Sequence, residues 1–219
     1  RALSTPLTWA MPSGPKPAIR SDRYHHGDLP KALVDAALAH GADGDWSLRQ
    51  LAAEIGVSAA AVYRHFDGKQ AFLDHLAAQG FERMSAALSE AFDIERPPAD
   101  ADEARLRVQR LAAAYLSFAE REPSLWALMF SAGARAYRAL ATPAGRPSTY
   151  DYLRAMLHGL YTTGLTGTPP RADDEIMAWS LIHGLAALRL GRVPSAQAPI
   201  VELAGLVAGR ILATVGRGR

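Results

Sequence analysis

Residues Leu48–Phe66 read LRQLAAEIGVSAAAVYRHF. Two helical spacings meet in this stretch with one glycine between them. Leu48, Leu51, Ala52 and Ile55 recur at the interval of a helix face, Gly56-Val57-Ser58 intervenes, and Ala59 to Phe66 resumes. Glycine adopts the left-handed conformation that ends a helix without a Cβ clash, and a serine oxygen accepts from the first free N–H groups of the next helix. The stretch predicts helices over 48–55 and 59–66 joined by a tight turn. Ala52 is small enough to mark the crossing, with Val57 and Val62 packed across the turn. The outer face of the second helix is left with Ala59, Ala60, Tyr63 and Arg64.

That arrangement is a helix-turn-helix, whose second helix enters the DNA major groove. A plain core hairpin has similar spacing, but it would not expose Tyr, Arg and His together on one short helix. The Ser58 hydroxyl and the helix N-terminus suit a phosphate. Alanines at 59 and 60 let the backbone approach base edges and touch a thymine methyl. Tyr63 and His65 can donate to phosphate oxygens, and Lys69 adds a charge to the same backbone.

Outward from this pair, Gly27–His40 reads as a helix with Asp28 as cap and Pro30 in the first turn. GADGD stops it, and Ser47 caps the helix that opens the quoted stretch. Asp67-Gly68-Lys69 starts a long helix through about Phe92. IERPPADADE (Ile94–Glu103) is a breaker and a candidate linker. Further helices are expected over 103–121, 123–141, 147–164, 172–190 and 197–215, separated by Pro or Gly. The N-terminal segment, rich in Pro, Ser and Gly, reads as a flexible arm over 1–20. A helix-turn-helix DNA-binding domain over 21–80 and a helical domain over 81–219 complete the division.

Composition agrees with an all-α chain. Of 219 residues 49% are hydrophobic, alanine carries much of that fraction, and β-branched runs are scarce. There is no cysteine, which excludes disulfides and cysteine-ligated metals and fits a reducing, cytoplasmic setting. The most apolar run, Ile200–Val215, contains Glu202 and Arg210 and reads as a buried helix, so no membrane partner is expected. Net charge is only +2, and residues 1–90 hold nine Lys+Arg against ten Asp+Glu. A nucleic-acid reading therefore rests on where the basic residues lie. The seven histidines (25, 26, 40, 65, 75, 158 and 183) have no i, i+3 or i+4 pair, so no metal and no cofactor is expected. No nucleophile elbow, P-loop or dinucleotide fingerprint occurs, which leaves an enzyme reading without a catalytic constellation.

YHHGDLPKALVDAAL followed by SLRQLAAEIGVSAAAVYRHFDGKQAFLDHL, about residues 24 to 80, resembles the N-terminal domain of the tetracycline-repressor (TetR) family of bacterial regulators. The resemblance implies a three-helix DNA-binding domain. It puts DNA contacts on Ser47, Ser58, Ala59, Ala60, Tyr63, His65 and Lys69, beside the Arg64 of the outer face. The segment before the first helix is less basic than is usual there, although Lys16, Arg20 and Arg23 are available to follow a groove. WSLIHGLAAL (Trp179–Leu188) is similar to the Trp–His–Gly signature of one group of TetR C-terminal domains.

The resemblance further implies a C-terminal helical bundle that dimerises through its last two helices and takes a small-molecule effector. Ile200, Leu203, Ala204, Leu206, Val207, Ile211 and Val215 keep helical spacing, with Ala204, Gly205, Ala208 and Gly209 small enough for a partner helix. Burial within one subunit would give the same pattern. Tyr115, Phe118, Trp126, Met129, Phe130, Met156, Tyr161 and Trp179 are candidate pocket walls, with His158, Thr162 and His183 as polar groups among them. A packed core with satisfied polar residues reads the same way, and His183 could equally mark a helix crossing at Gly184. The expected function is a homodimeric regulator, most often a repressor, released from a near-palindromic double-stranded operator by a small molecule. A regulator without such a ligand, controlled by a protein partner or by abundance, is the alternative.

Overall fold

The computed structural model describes residues 29–41, 45–131 and 146–216. Among these the chain is helical, with no strand. In order the helices are α1 (Leu29–His40), α2 (Leu48–Glu54), α3 (Ala59–Tyr63), α4 (Lys69–Ala91), α5 (Ala101–Arg121), α6 (Pro123–Ser131), α7 (Thr149–Thr162), α8 (Ala172–Leu190) and α9 (Ile200–Thr214). A 3-10 turn, Pro194–Ala196, precedes α9.

Local chemistry sets most of these ends. Ser47 and Gln50 form a reciprocal capping box at α2: the Gln50 N–H donates to Ser47 Oγ at 3.2 Å, and the Ser47 N–H donates to Gln50 Oε1 at 2.7 Å. Gly56 takes φ +75°, as the turn requires. Ser58 Oγ accepts from the Ala61 N–H at 3.2 Å and starts α3.

Several boundaries differ from the sequence reading. The expected cap Asp28, the arm, and the segment after Ser131 of the expected 123–141 helix lie outside the described residues. The second helix of the pair closes at Tyr63 rather than Phe66. Phe66 is drawn into the core, with its ring 5.1 Å from Phe72 and 5.3 Å from His75, and tertiary packing overrides helix continuation. α5 starts earlier than expected because Asp100 accepts from the Glu103 N–H at 2.8 Å. α7 starts at Thr149 because Ser148 and Asp151 cap it reciprocally, leaving Pro147 outside to accept from the Ser85 hydroxyl at 2.5 Å. α9 begins only at Ile200, since the 3-10 turn and Pro199 occupy the residues before it.

The Ile94–Glu103 segment is an ordered connection rather than a linker. Arg107, buried on α5, donates to the Arg96 carbonyl at 2.5 Å and to Glu103 at 2.8 Å, and stacks over Phe92. The Ala99 N–H and Arg96 also bond Glu103. That network folds the turn back so that α5 packs along α4.

A continuous cluster of buried side chains runs from Leu33 and Leu51, through Phe72 and Leu76, to Met84, Leu116, Leu157 and Ile211. α4 is shared between its two ends: its first turns set Phe72 and His75 against Trp46 and Phe66 of the helix-turn-helix region, and its later turns pack on α5, α6 and α7. α6 touches α1 as well as α4, so it meets both parts of the chain.

Candidate functional site

The first candidate surface is built on α3. Val62 and Phe66 are buried, as are Leu51 and Ala52 of α2 at the crossing. With that side fixed inward, helical geometry turns Ala60, Tyr63 and Arg64 outward, with His65 exposed just beyond and Ala59 half-buried. Tyr63 is 45% exposed. The hydroxyls of Ser47 and Ser58 accept their capping bonds and keep a hydrogen to donate.

Lys69 is less free than the sequence suggested. Its Nζ donates to the Trp46 carbonyl at 2.7 Å and lies 4.3 Å from the centre of the Trp46 ring. The ammonium thus ties the start of α4 to the loop before α2. The sequence reading missed Arg49. It is exposed on the first turn of α2, next to Ser47, with no side-chain hydrogen bond or ion pair among the described residues. Its position across the helix from the buried Leu51 was the available signal. Lys16, Arg20, Arg23, His25 and His26 lie outside the described residues.

The second candidate site is a cavity in the bundle. It offers about 60 Å³ to the centre of a water-sized sphere. Of the expected wall residues, Tyr115, Phe130, Met156 and Trp179 line it. Phe81 and Met84 of α4, Thr149 of α7 and Val207 of α9 line it too, and the sequence reading had none of them. Phe118, Trp126, Tyr161 and His183 do not reach it. Phe118 is in the packed core. Tyr161 is 37% exposed, and with His158 and Thr162 it forms the outer face of α7. Leu153, Met156, Leu157 and Leu160 take the inner face. Met129 is buried against Gly80 of α4 rather than in the cavity wall.

His183 stands behind the wall. Its Nδ1 is 2.9 Å from the Tyr115 hydroxyl, and its ring stacks on Trp126 with centres 4.8 Å apart and meets Phe130 at 4.4 Å. Burial pushes its pKa below the ordinary histidine value, so the ring is neutral at neutral pH. The Tyr115 hydroxyl and Nδ1 share this hydrogen bond, its direction set by which ring nitrogen carries the proton. The Trp126 indole N–H is buried with no hydrogen-bond partner among the described residues. Among the described residues Gly184 marks no helix crossing, since a Cβ there would meet nothing within 4 Å.

Large apolar side chains stand out on the outer faces of α8 and α9, with Glu202 and Arg210 exposed among them on α9. Ile176, Leu188, Val201 and Leu206 are each at least half exposed. Ala204 and Ala208 face inward instead, while a Cβ at Gly205 or Gly209 would meet open space. No group of three or more His, Asp or Glu among the described residues is placed to hold a metal. No helix among them is long and apolar enough to cross a membrane.

Comparison with known proteins agrees with this geometry. Residues 34–76 match the family model "Bacterial regulatory proteins, tetR family", and residues 108–203 match "Tetracyclin repressor-like, C-terminal domain". A solved protein of unknown function from a Rhodococcus species is 31% identical, with 90% of this chain and 100% of that one covered at a TM-score of 0.66. The TetR family transcriptional regulator PfmR from Thermus thermophilus is 19% identical, with 87% and 98% covered at 0.60. The fatty acid degradation regulator FadR from Bacillus halodurans is 14% identical, with 85% and 95% covered at 0.62. At those lower identities the likeness is one of fold. No curated protein matches the sequence.

Proposed function

The chain belongs to the TetR family of bacterial regulators and is a DNA-binding transcription regulator rather than an enzyme, and from that premise we propose that it is a cytoplasmic repressor released from its operator by a small molecule. The DNA-binding domain is residues 21–80 and the effector and dimerisation domain 81–219. The observation that carries the DNA contacts is the outward face of α3 over a buried Val62 and Phe66. In this reading Ala59 and Ala60 approach base edges. Tyr63, Arg64, His65, Lys69 and the hydroxyls of Ser47 and Ser58 hold phosphates, with Arg49 beside them.

The exposed apolar side chains of α8 and α9 pair with those of a second copy. A two-fold axis then sets two α3 helices one DNA turn apart, about 34–36 Å, and makes the operator a near-palindrome. The effector fills the bundle cavity. Phe130 of α6 lines that cavity and meets Phe81 of α4 edge-on with ring centres 5.7 Å apart. Filling the space moves α6 and α4, and α4 carries the DNA-binding domain. The spacing of the two α3 helices changes while the groove spacing does not, so affinity falls by the effector's differential affinity for the two states.

Selection of sites from a random DNA pool with the purified protein tests the DNA reading. Enrichment of a near-palindrome supports it. No enrichment at low salt, with protein refolded to remove carried-over ligand, refutes it.

A further inference from the structure

We propose that the bundle cavity takes an uncharged, elongated apolar molecule with at most one small polar end, and that it rejects carboxylates and ammonium ions of the same shape. This rests on the reading of the cavity as the effector site and names the chemistry of what enters it.

The length comes from the helices. The cavity runs along α4 from Phe81 to Leu88 and along α5 from Val108 to Tyr115. Seven residues at ~1.5 Å each give a wall of about 10 Å on both sides. The narrow volume over that length suits a chain better than a disc or a ball.

The charge preference comes from the wall. None of the described residues that line it carries a formal charge. Its hydroxyls are three. That of Tyr115 is engaged with His183, and that of Tyr150 donates to Glu175. Thr149, at the start of α7, has no side-chain hydrogen bond among the described residues and can serve one alcohol or carbonyl oxygen. His183, the titratable group nearest Tyr115, is kept neutral by burial and offers no counter-charge. An ion brought into such a wall loses its hydration and meets no counter-charge, whereas an alkyl chain gains by leaving water.

The test uses the full chain and three probes that share one chain length: octanol, octanoate and octylammonium. Binding is read at neutral pH by calorimetry and by tryptophan emission, to which Trp179 contributes from the cavity wall. Octanol is expected to bind about tenfold or more tightly than either ion. Ala112→Leu, which fills part of the wall, should abolish octanol binding in a protein that still melts cooperatively. If that variant does not fold, Thr149→Val serves, and should weaken octanol severalfold. Equal or tighter binding of octanoate or octylammonium overturns the proposal, as does the absence of binding by octanol. Operator release is measured separately. Octanol that binds without releasing operator refutes the coupling but leaves the cavity chemistry standing. Octanoate that binds better and releases operator does the reverse.

Discussion

Gly80 sits in the middle of α4 where α6 crosses it, and replacing it with alanine should weaken operator binding without touching DNA. A Cβ at this position would lie 2.5 Å from Met129 Sδ and 3.2 Å from Leu125 Cδ1. Carbon and sulfur rest at about 3.5–4.0 Å, so Met129 has to retreat by about 1 Å. Met129 and Leu125 are fully buried, which leaves little room for either to do so in place. Methionine is the most adaptable of the core side chains, so part of the displacement is absorbed by rotation and part passes to α6. Overpacking of this kind costs about 1–3 kcal/mol, against about 0.5–1 kcal/mol gained by removing a glycine from a helix interior. The net cost is about 0–2.5 kcal/mol, which at about 2–4 °C per kcal/mol lowers the melting temperature by at most about 10 °C.

The larger effect should be on DNA. α6 touches α1 and carries Phe130 to the cavity wall. Pushing it away from α4 imitates in part what a bound effector is proposed to do. Gly80→Ala is therefore expected to lower operator affinity about tenfold in fluorescence anisotropy with no effector present, in a protein that remains folded. Met129→Ala removes the obstructing side chain. The double variant Gly80→Ala/Met129→Ala should be less impaired than the two single effects added together, since the clash that couples them is gone. If Gly80→Ala melts and binds like the wild type, the crossing does not transmit position to the DNA-binding domain. If it binds normally but melts several degrees lower, the crossing is structural alone.

Arg64→Ala should weaken binding to every DNA sequence alike and lower the salt slope by about one, as a lost charged phosphate contact does; an unchanged slope in a salt titration removes Arg64 from the phosphate set. Ala60→Glu should abolish operator binding while leaving the melting temperature near that of the wild type, because the site is exposed and an acid suits the first turn of a helix; retained affinity would mean that α3 is not the helix in the groove. Glu103 titrates at about 2, below its ordinary value of 4.5, held down first by the Ala99 N–H and then by Arg107. The folded pKa is the lower one, so the carboxylate contributes stability above pH 4.5 that is lost as pH falls toward 2, and Glu103→Gln should flatten the acid limb of a melting-temperature profile over that window.

What could be read in advance was what is local. The Gly56-Val57-Ser58 turn needs a positive φ and a cap oxygen, and both are properties of single residues. The phase of α7 was also present in the sequence, since His158, Tyr161 and Thr162 fall at i, i+3 and i+4 and so share one face. Placing that face inward was the error, because polar groups amid apolar ones suggested a binding site when Leu153, Met156, Leu157 and Leu160 already claimed the interior. The end of α3 was not legible: nothing between Tyr63 and Phe66 breaks a helix, and only Phe72 and His75, on another helix, pull the ring away. Gly80 looks like a mere weakness in α4 until Met129, far along the chain, is found against it. The cavity is the extreme case. A pocket wall and a packed core carry the same apolar periodicity, because both face away from water. They differ only in whether side chains from α4 to α9 together fill the space between them, and that shortfall belongs to no single segment of sequence.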